Sequence, residues 1–222
     1  MNSALDKVGV YDFFGVLLSG MIVIVVSCCL DLPLINLIAN VENDIVNAIL
    51  FLVGSFFLGL VLQEISSVLD KKVFKFRENA RCKFLNDENK IIGNELELKS
   101  FRELANKILN KSNDDQVYNE TENEYVFYLC KTFLETHEKC DKANKINSLY
   151  AMSRSLIISM PLCLSAYYRY NIKSFSFSRQ DLVVTFIMAM LTVIFYKRAK
   201  RFAAYRVRVI LRQYKILNEK NL

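Results

Sequence analysis

The chain is short of the residues that turns and catalysis draw on. Its 222 residues include one histidine, two prolines and six glycines. So little glycine and proline excludes collagen-like and low-complexity sequence. No phosphate-cradling glycine loop and no G-x-S-x-G elbow occurs, and no two of the six cysteines form a C-x-x-C pair. These absences disfavour an enzyme, and neither catalytic residues, cofactors nor metals are expected. Apolar residues, by contrast, make up 53% of the chain, too many for a disordered one. They collect in uncharged blocks, although 23% of all residues are charged. That pattern reads as a membrane protein.

Phe13 to Leu30 and Ile45 to Gln63 carry no charge. Each run is about 18 residues, which at about 1.5 Å per residue approaches the roughly 30 Å hydrocarbon core. A third span reaches the same length from Leu149 to Tyr168, with Pro161 inside it and Arg154 near one end, where a long side chain snorkels to the headgroups. The fourth is Leu182 to Tyr196, between Asp181 and Lys197. The fold expected is an all-α polytopic membrane protein: four transmembrane helices and a cytoplasmic helical bundle. Its regions are spans one and two (1–63), a cytoplasmic helical domain (64–148), spans three and four (149–196) and a basic cytoplasmic C-terminal helix (197–222).

Orientation follows from the basic residues. The loop from Asp31 to Asp44 has no lysine or arginine, and the loop after span three holds only Arg169, Lys173 and Arg179. Lys71, Lys72 and Lys75 follow span two, and Lys197, Arg198, Lys200 and Arg201 follow span four. The positive-inside rule then puts both termini and the middle segment in the cytoplasm. The net charge of +6 is on this reading mainly topological, with the basic clusters facing anionic lipid or a partner. A nucleic-acid footprint is the alternative. Only Lys7 precedes Phe13, and no A-x-A-like cleavage site follows Leu30, so span one reads as an uncleaved anchor.

The cytoplasmic segment reads as helix almost throughout. Span two is expected to continue as a stalk through Ile65, Val68, Leu69, Val73, Phe76 and Phe84, up to a break at Asn86–Asn94. Phe101, Leu104, Ala105, Ile108 and Leu109 then form one helical face. After the loop at Lys111–Asn119, Thr121 and Glu124 have capping-box spacing. From Tyr125 onward nothing breaks the pattern before Pro161, which predicts one long helix entering span three. Lys197 to Leu217 also lacks breakers and predicts an extension of span four.

Four constellations are candidates for function. Asp12, Glu64 and Arg154 fall near one membrane boundary, where a salt bridge from Arg154 to either carboxylate would fix the spans; plain interfacial anchoring is the alternative. Gly15 with Ser19 and Ser55 with Gly59 have the small-xxx-small spacing of close helix packing. Asn47, Ser159, Thr185 and Thr192 are candidates to line a polar passage. Cys130, His137 and Cys140, with Cys82, read as inert thiols and a surface or interhelical histidine; a zinc site is the alternative.

Tyr11-Asp12-Phe13-Phe14-Gly15 with Gly20, the stretch Asn147 to Arg154, and Arg198, Arg201, Phe202 and Tyr205 resemble small four-span bacterial membrane effectors of anti-phage systems, including CRISPR accessory membrane proteins. The resemblance implies a homo-oligomer in the inner membrane that compromises it when a cytoplasmic immune sensor or CRISPR ribonucleoprotein signals infection. The R-x4-6-H pattern of HEPN ribonucleases is missing, since the nearest arginine before His137 is Arg102. The function expected is thus a defence effector that forms or gates a pore; a non-conducting anchor or adaptor for a cytoplasmic partner is the alternative.

Overall fold

A computed structural model describes residues 10–30, 43–86, 91–112, 117–171 and 178–220. These form seven α-helices and a π-helical turn, with no β-strand among the described residues. In chain order they are α1 (Val10–Cys29), α2 (Asp44–Leu69), the π turn (Asp70–Phe74), α3 (Phe76–Cys82), α4 (Glu95–Leu109), α5 (Glu120–Thr136), α6 (Asp141–Asn171) and α7 (Arg179–Lys220). The all-α expectation holds. Three stretches are long and apolar enough to cross a bilayer: Asp44–Phe74, Asp141–Arg169 and Arg179–Asn218. They point to membrane association. The apolar stretch of α1, Gly15–Cys29, is shorter.

The chain divides into two compact units, one of residues 1–70 and 148–199, the other of 71–147 and 200–222. In the first, α2 starts where the Asn43 side chain accepts the amides of Ile45 and Val46 at 3.0 and 3.4 Å, with Asp44 in the first turn complementing the helix dipole. Helices α1 and α2 cross with their backbones in contact. A Cβ at Gly20 would collide with the Ser55 carbonyl and one at Gly59 with the Val16 carbonyl, so only glycine fits either place. Val23, Leu62, Leu156, Met160, Cys163 and Met188 pack into a core fed by α1, α2, α6 and α7. Enclosure is unequal. In α6 56% of the most apolar stretch is buried, against 17% in α2 and 11% in α7. Phe57, Leu182 and Phe186 are more than 60% exposed. A contiguous apolar surface of this kind is stable in lipid rather than in water.

The second unit follows the opposite rule. Phe101 and Ala105 of α4, Val126 and Leu134 of α5, and Ile210 and Leu211 of α7 are buried, while charged side chains cover the outside. Arg81 of α3 pairs with Glu124 of α5 at 2.8 Å and donates to the Tyr128 hydroxyl at 2.8 Å. Asn123 accepts the Leu85 amide at 3.0 Å, and Arg102 donates twice to the Leu85 carbonyl, at 3.0 and 2.8 Å. Arg212 grips Glu97, with Nη2 donating to Oε2 at 2.7 Å.

Three local expectations give way here. The stalk beyond span two does not run on to Asn86. The α-helix yields to the π turn, Lys75 takes a left-handed φ of 50°, and a short helix restarts at Phe76. Phe74 and Phe76 stack with ring centroids 5.3 Å apart, a contact between residues two apart that a continuous α-helix does not allow. The capping box lies two residues before the expected one. Asn119 Oδ1 accepts the Glu122 amide at 2.8 Å and the Asn119 amide donates to Glu122 at 3.0 Å, leaving Glu124 for Arg81. Finally, the helix from Tyr125 does not reach span three. It ends at Thr136, Glu138 adopts a φ of 55°, and α6 begins at Asp141. The backbone closes the helix there: the Lys139 amide donates to the Leu134 carbonyl at 2.9 Å and the Glu138 amide to the Glu135 carbonyl at 3.2 Å, around a left-handed residue that is usually glycine. Helix α7, in contrast, runs unbroken to Lys220.

Candidate functional site

The buried stripe of α2 is Ser55, Gly59, Leu62 and Ser66, and Asp70 continues it by one more turn into the π turn. Facing it, α6 presents Tyr150, Arg154 and Ser155. Asp70 and Arg154 are 4% and 5% exposed, so an ion pair is enclosed within the first unit. Arg154 Nη1 stands 3.8 Å from Asp70 Oδ2. Its Nε donates to Ser66 Oγ at 3.1 Å and its Nη2 to the Gln63 carbonyl at 3.3 Å. The Tyr150 hydroxyl donates to Asp70 Oδ2, and the Tyr150 ring lies 5.5 Å from the guanidinium carbon. Ser66 in turn donates to the Gln63 carbonyl at 2.9 Å, while Ser155, whose hydroxyl is 3.4 Å from Ser66 Oγ, donates to the Ala151 carbonyl at 3.1 Å.

The physical content of this network is a lock. Removing two charges from water costs several kcal/mol per ion, and the cost is offset only where geometry and further hydrogen bonds satisfy both groups. Here the bonds come from both helices, so the network ties the register of α2 to that of α6. The π turn is part of the arrangement, since it begins at Asp70 itself. Such turns are frequent at functional sites.

Arg154 of the expected trio is the centre, and among the described residues the carboxylate paired with it is Asp70. Glu64 is exposed, off the buried stripe. Asp12 lies in the first turn of α1, and its side chain is outside the described residues. Of the small residues, Ser55 and Gly59 do line the contact with α1, whereas a Cβ at Gly15 would meet the Ser148 carbonyl of α6 at 3.3 Å. Ser19 is buried and donates to the Val16 carbonyl at 2.7 Å. Gly20, not expected in this role, makes the tighter crossing.

Of the four residues expected to line a polar passage, three bond within their own helices, and Thr185 also meets the Tyr168 hydroxyl of α6. Ser159, Thr185 and Thr192 each donate to the carbonyl four residues back, at 2.8, 2.7 and 2.8 Å. Asn47 is half-buried near the start of α2. A second cluster joins the C-terminal part of α6 to the start of α7, where the Tyr167 hydroxyl donates to Asp181 Oδ1 at 2.8 Å and the Ser178 amide to Oδ2 at 2.8 Å.

Among the described residues no group of three or more histidine, cysteine, aspartate or glutamate side chains is placed to hold a metal ion. The His137 ring is turned onto Phe133, with centroids 4.2 Å apart, while Cys130 is fully buried and burial pushes its thiol up to about 12. That thiol stays protonated and inert at neutral pH. Burial likewise raises the thiols of Cys82 and Cys140. The basic residues lie outside: Lys71, Lys72, Lys75, Lys197, Lys200 and Arg201 are exposed and Arg198 is half-buried. Compared with protein-family models, characterised proteins and solved structures, the chain matches none.

Proposed function

We propose that the protein is a membrane-resident effector of bacterial anti-phage defence, with four spans in the inner membrane and both termini cytoplasmic. It acts as a homo-oligomer that forms or gates a pore when an immune sensor or CRISPR ribonucleoprotein engages its cytoplasmic helices. The observation that carries this reading is the enclosed Asp70–Tyr150–Arg154 network between two helices long and apolar enough to span a bilayer. An ionisable pair in such a place is costly to keep and marks function by default. It also supplies what gating requires, a contact with discrete made and broken states rather than a continuous one. The conducting path belongs between copies, where the exposed faces of α2 and α7 are available.

The test is a membrane-potential dye in cells carrying the whole defence system. Triggering is expected to depolarise cells with the native protein and to leave cells with Arg154→Ala polarised, at equal protein level. Depolarisation absent from both rules out the effector reading and favours the anchor or adaptor.

A further inference from the structure

We infer that the exposed face of α7 at Lys197, Lys200 and Arg201 is a binding site for the headgroups of anionic phospholipids. The inference rests on the reading that residues 182–194 lie in lipid, and it adds a specific occupant at the membrane boundary. On α7 the exposed apolar Met190 comes four residues after Phe186, and Val193 and Ile194 come three and four after Met190, which is one helical face. Lys197 comes three residues after Ile194, and Lys200 and Arg201 come three and four after Lys197, all exposed. The opposite face is fixed by Met188, Ala199 and Ala203, which are buried. The same surface thus changes from hydrocarbon-compatible to cationic within one turn.

Charge complementarity selects the occupant. None of the ion pairs among the described residues involves Lys197, Lys200 or Arg201, and the Arg201 guanidinium instead lies 5.8 Å from the ring centre of Phe202. Three cations at the edge of an apolar face meet the phosphates of the leaflet in which that face is embedded. A second segment repeats the transition by itself: Val61, Ile65 and Val68 of α2 are exposed, and the exposed Lys71 and Lys72 follow three and four residues after Val68. A nucleic acid offers the same phosphate chemistry but gives no reason for the cations to continue a lipid-type face in register.

The full chain is reconstituted into nanodiscs of phosphatidylcholine mixed with phosphatidylglycerol, and the lipid retained on the protein is measured by mass spectrometry. Native protein is expected to enrich phosphatidylglycerol over its bulk fraction. The variant K197Q/K200Q/R201Q should lose that enrichment several-fold, since each cation near an anionic surface is worth about fivefold. The variant K99Q/K107Q/K142Q removes the same charge from exposed positions elsewhere and should keep it. Equal enrichment in all three proteins overturns the inference, as does an equal loss in both variants. So does a loss of oligonucleotide binding in K197Q/K200Q/R201Q with lipid enrichment unchanged. Alkali extraction from neutral phosphatidylcholine vesicles separates the two levels: a protein released there contradicts the spanning reading itself, whereas one retained but without anionic preference contradicts only the headgroup site.

Discussion

Between Leu182 and Ile194, α7 turns Leu182, Val183, Phe186, Ile187 and Met190 outward, whereas between Ala203 and Tyr214 it turns Ala203, Val207, Ile210 and Leu211 inward and leaves Arg212 at the surface. The same residue type shows the change: Ile187 is 50% exposed and Ile210 fully buried. On the proposed reading one helix obeys two solvents. In the first part lipid serves apolar side chains as well as a protein interior does, so the helix has no need to bury them. Farther on, water penalises their exposure and an amphipathic stripe is required. Helix α6 adds the complement, because the most enclosed of the three long helices is the one carrying Ser153, Arg154, Ser155 and Ser159.

The comparison breaks most severely where charge is enclosed. Arg154→Ala leaves the Asp70 carboxylate buried without its cation and should cost about 3–5 kcal/mol, whereas Lys131→Ala, which deletes the Lys131–Glu135 pair at the surface of the second unit, should cost about 0–1 kcal/mol. Thermal unfolding in detergent reads both. Recovery of most of the loss by combining Arg154→Met with Asp70→Asn is the expected signature of an uncompensated charge; a double variant no better than Arg154→Ala means that the packing of the arginine stem is what matters.

A smaller effect sharpens the contrast along α7. Ile210→Ala opens a cavity and should cost about 2–5 kcal/mol, while Ile187→Ala leaves its neighbours in contact with lipid and should cost less than about 1 kcal/mol. Equal losses in a denaturant titration erase the distinction between the two halves.

The smallest expected effect belongs to the start of α5. The Lys111 ammonium and then the Asn119 amide hold the Glu122 carboxyl below its ordinary value of 4.5. A carboxyl lowered in the folded state adds stability that is fully present above its unfolded pKa and is lost as pH falls through the folded one. Glu122→Gln should therefore lower stability at neutral pH by about 0.5–1 kcal/mol and flatten the acid limb of the stability curve. An unchanged acid limb contradicts the assignment.

Hydropathy made the helical class and three stretches long and apolar enough to span a bilayer legible in the sequence, because such helices announce themselves by apolar content. Part of the ion network was legible too, since an arginine in an apolar run demands a partner. Its partner was obscured by neighbours, as Asp70 stands directly before Lys71 and Lys72 and reads as part of a basic stalk. The signal was nevertheless present. Positions 55, 59, 62, 66 and 70 follow helical spacing and carry serine, glycine, leucine, serine and aspartate, whereas Glu64 falls off that line. The breaks at Lys75 and Glu138 left no such trace. A lysine and a glutamate stand there in left-handed conformations that favour glycine, one between the stacked Phe74 and Phe76 and the other within the backbone bonds that close α5.

The central claim is that one face of α7 meets lipid up to Ile194 and water beyond it. Spin labels placed in turn at Val183, Phe186, Met190, Lys197 and Lys200 in reconstituted membranes, with collision rates measured against oxygen and a water-soluble nickel chelate, test it most directly. Oxygen should dominate at the first three positions and the nickel chelate at the last two. Strong nickel collisions at Phe186 and Met190 contradict the account.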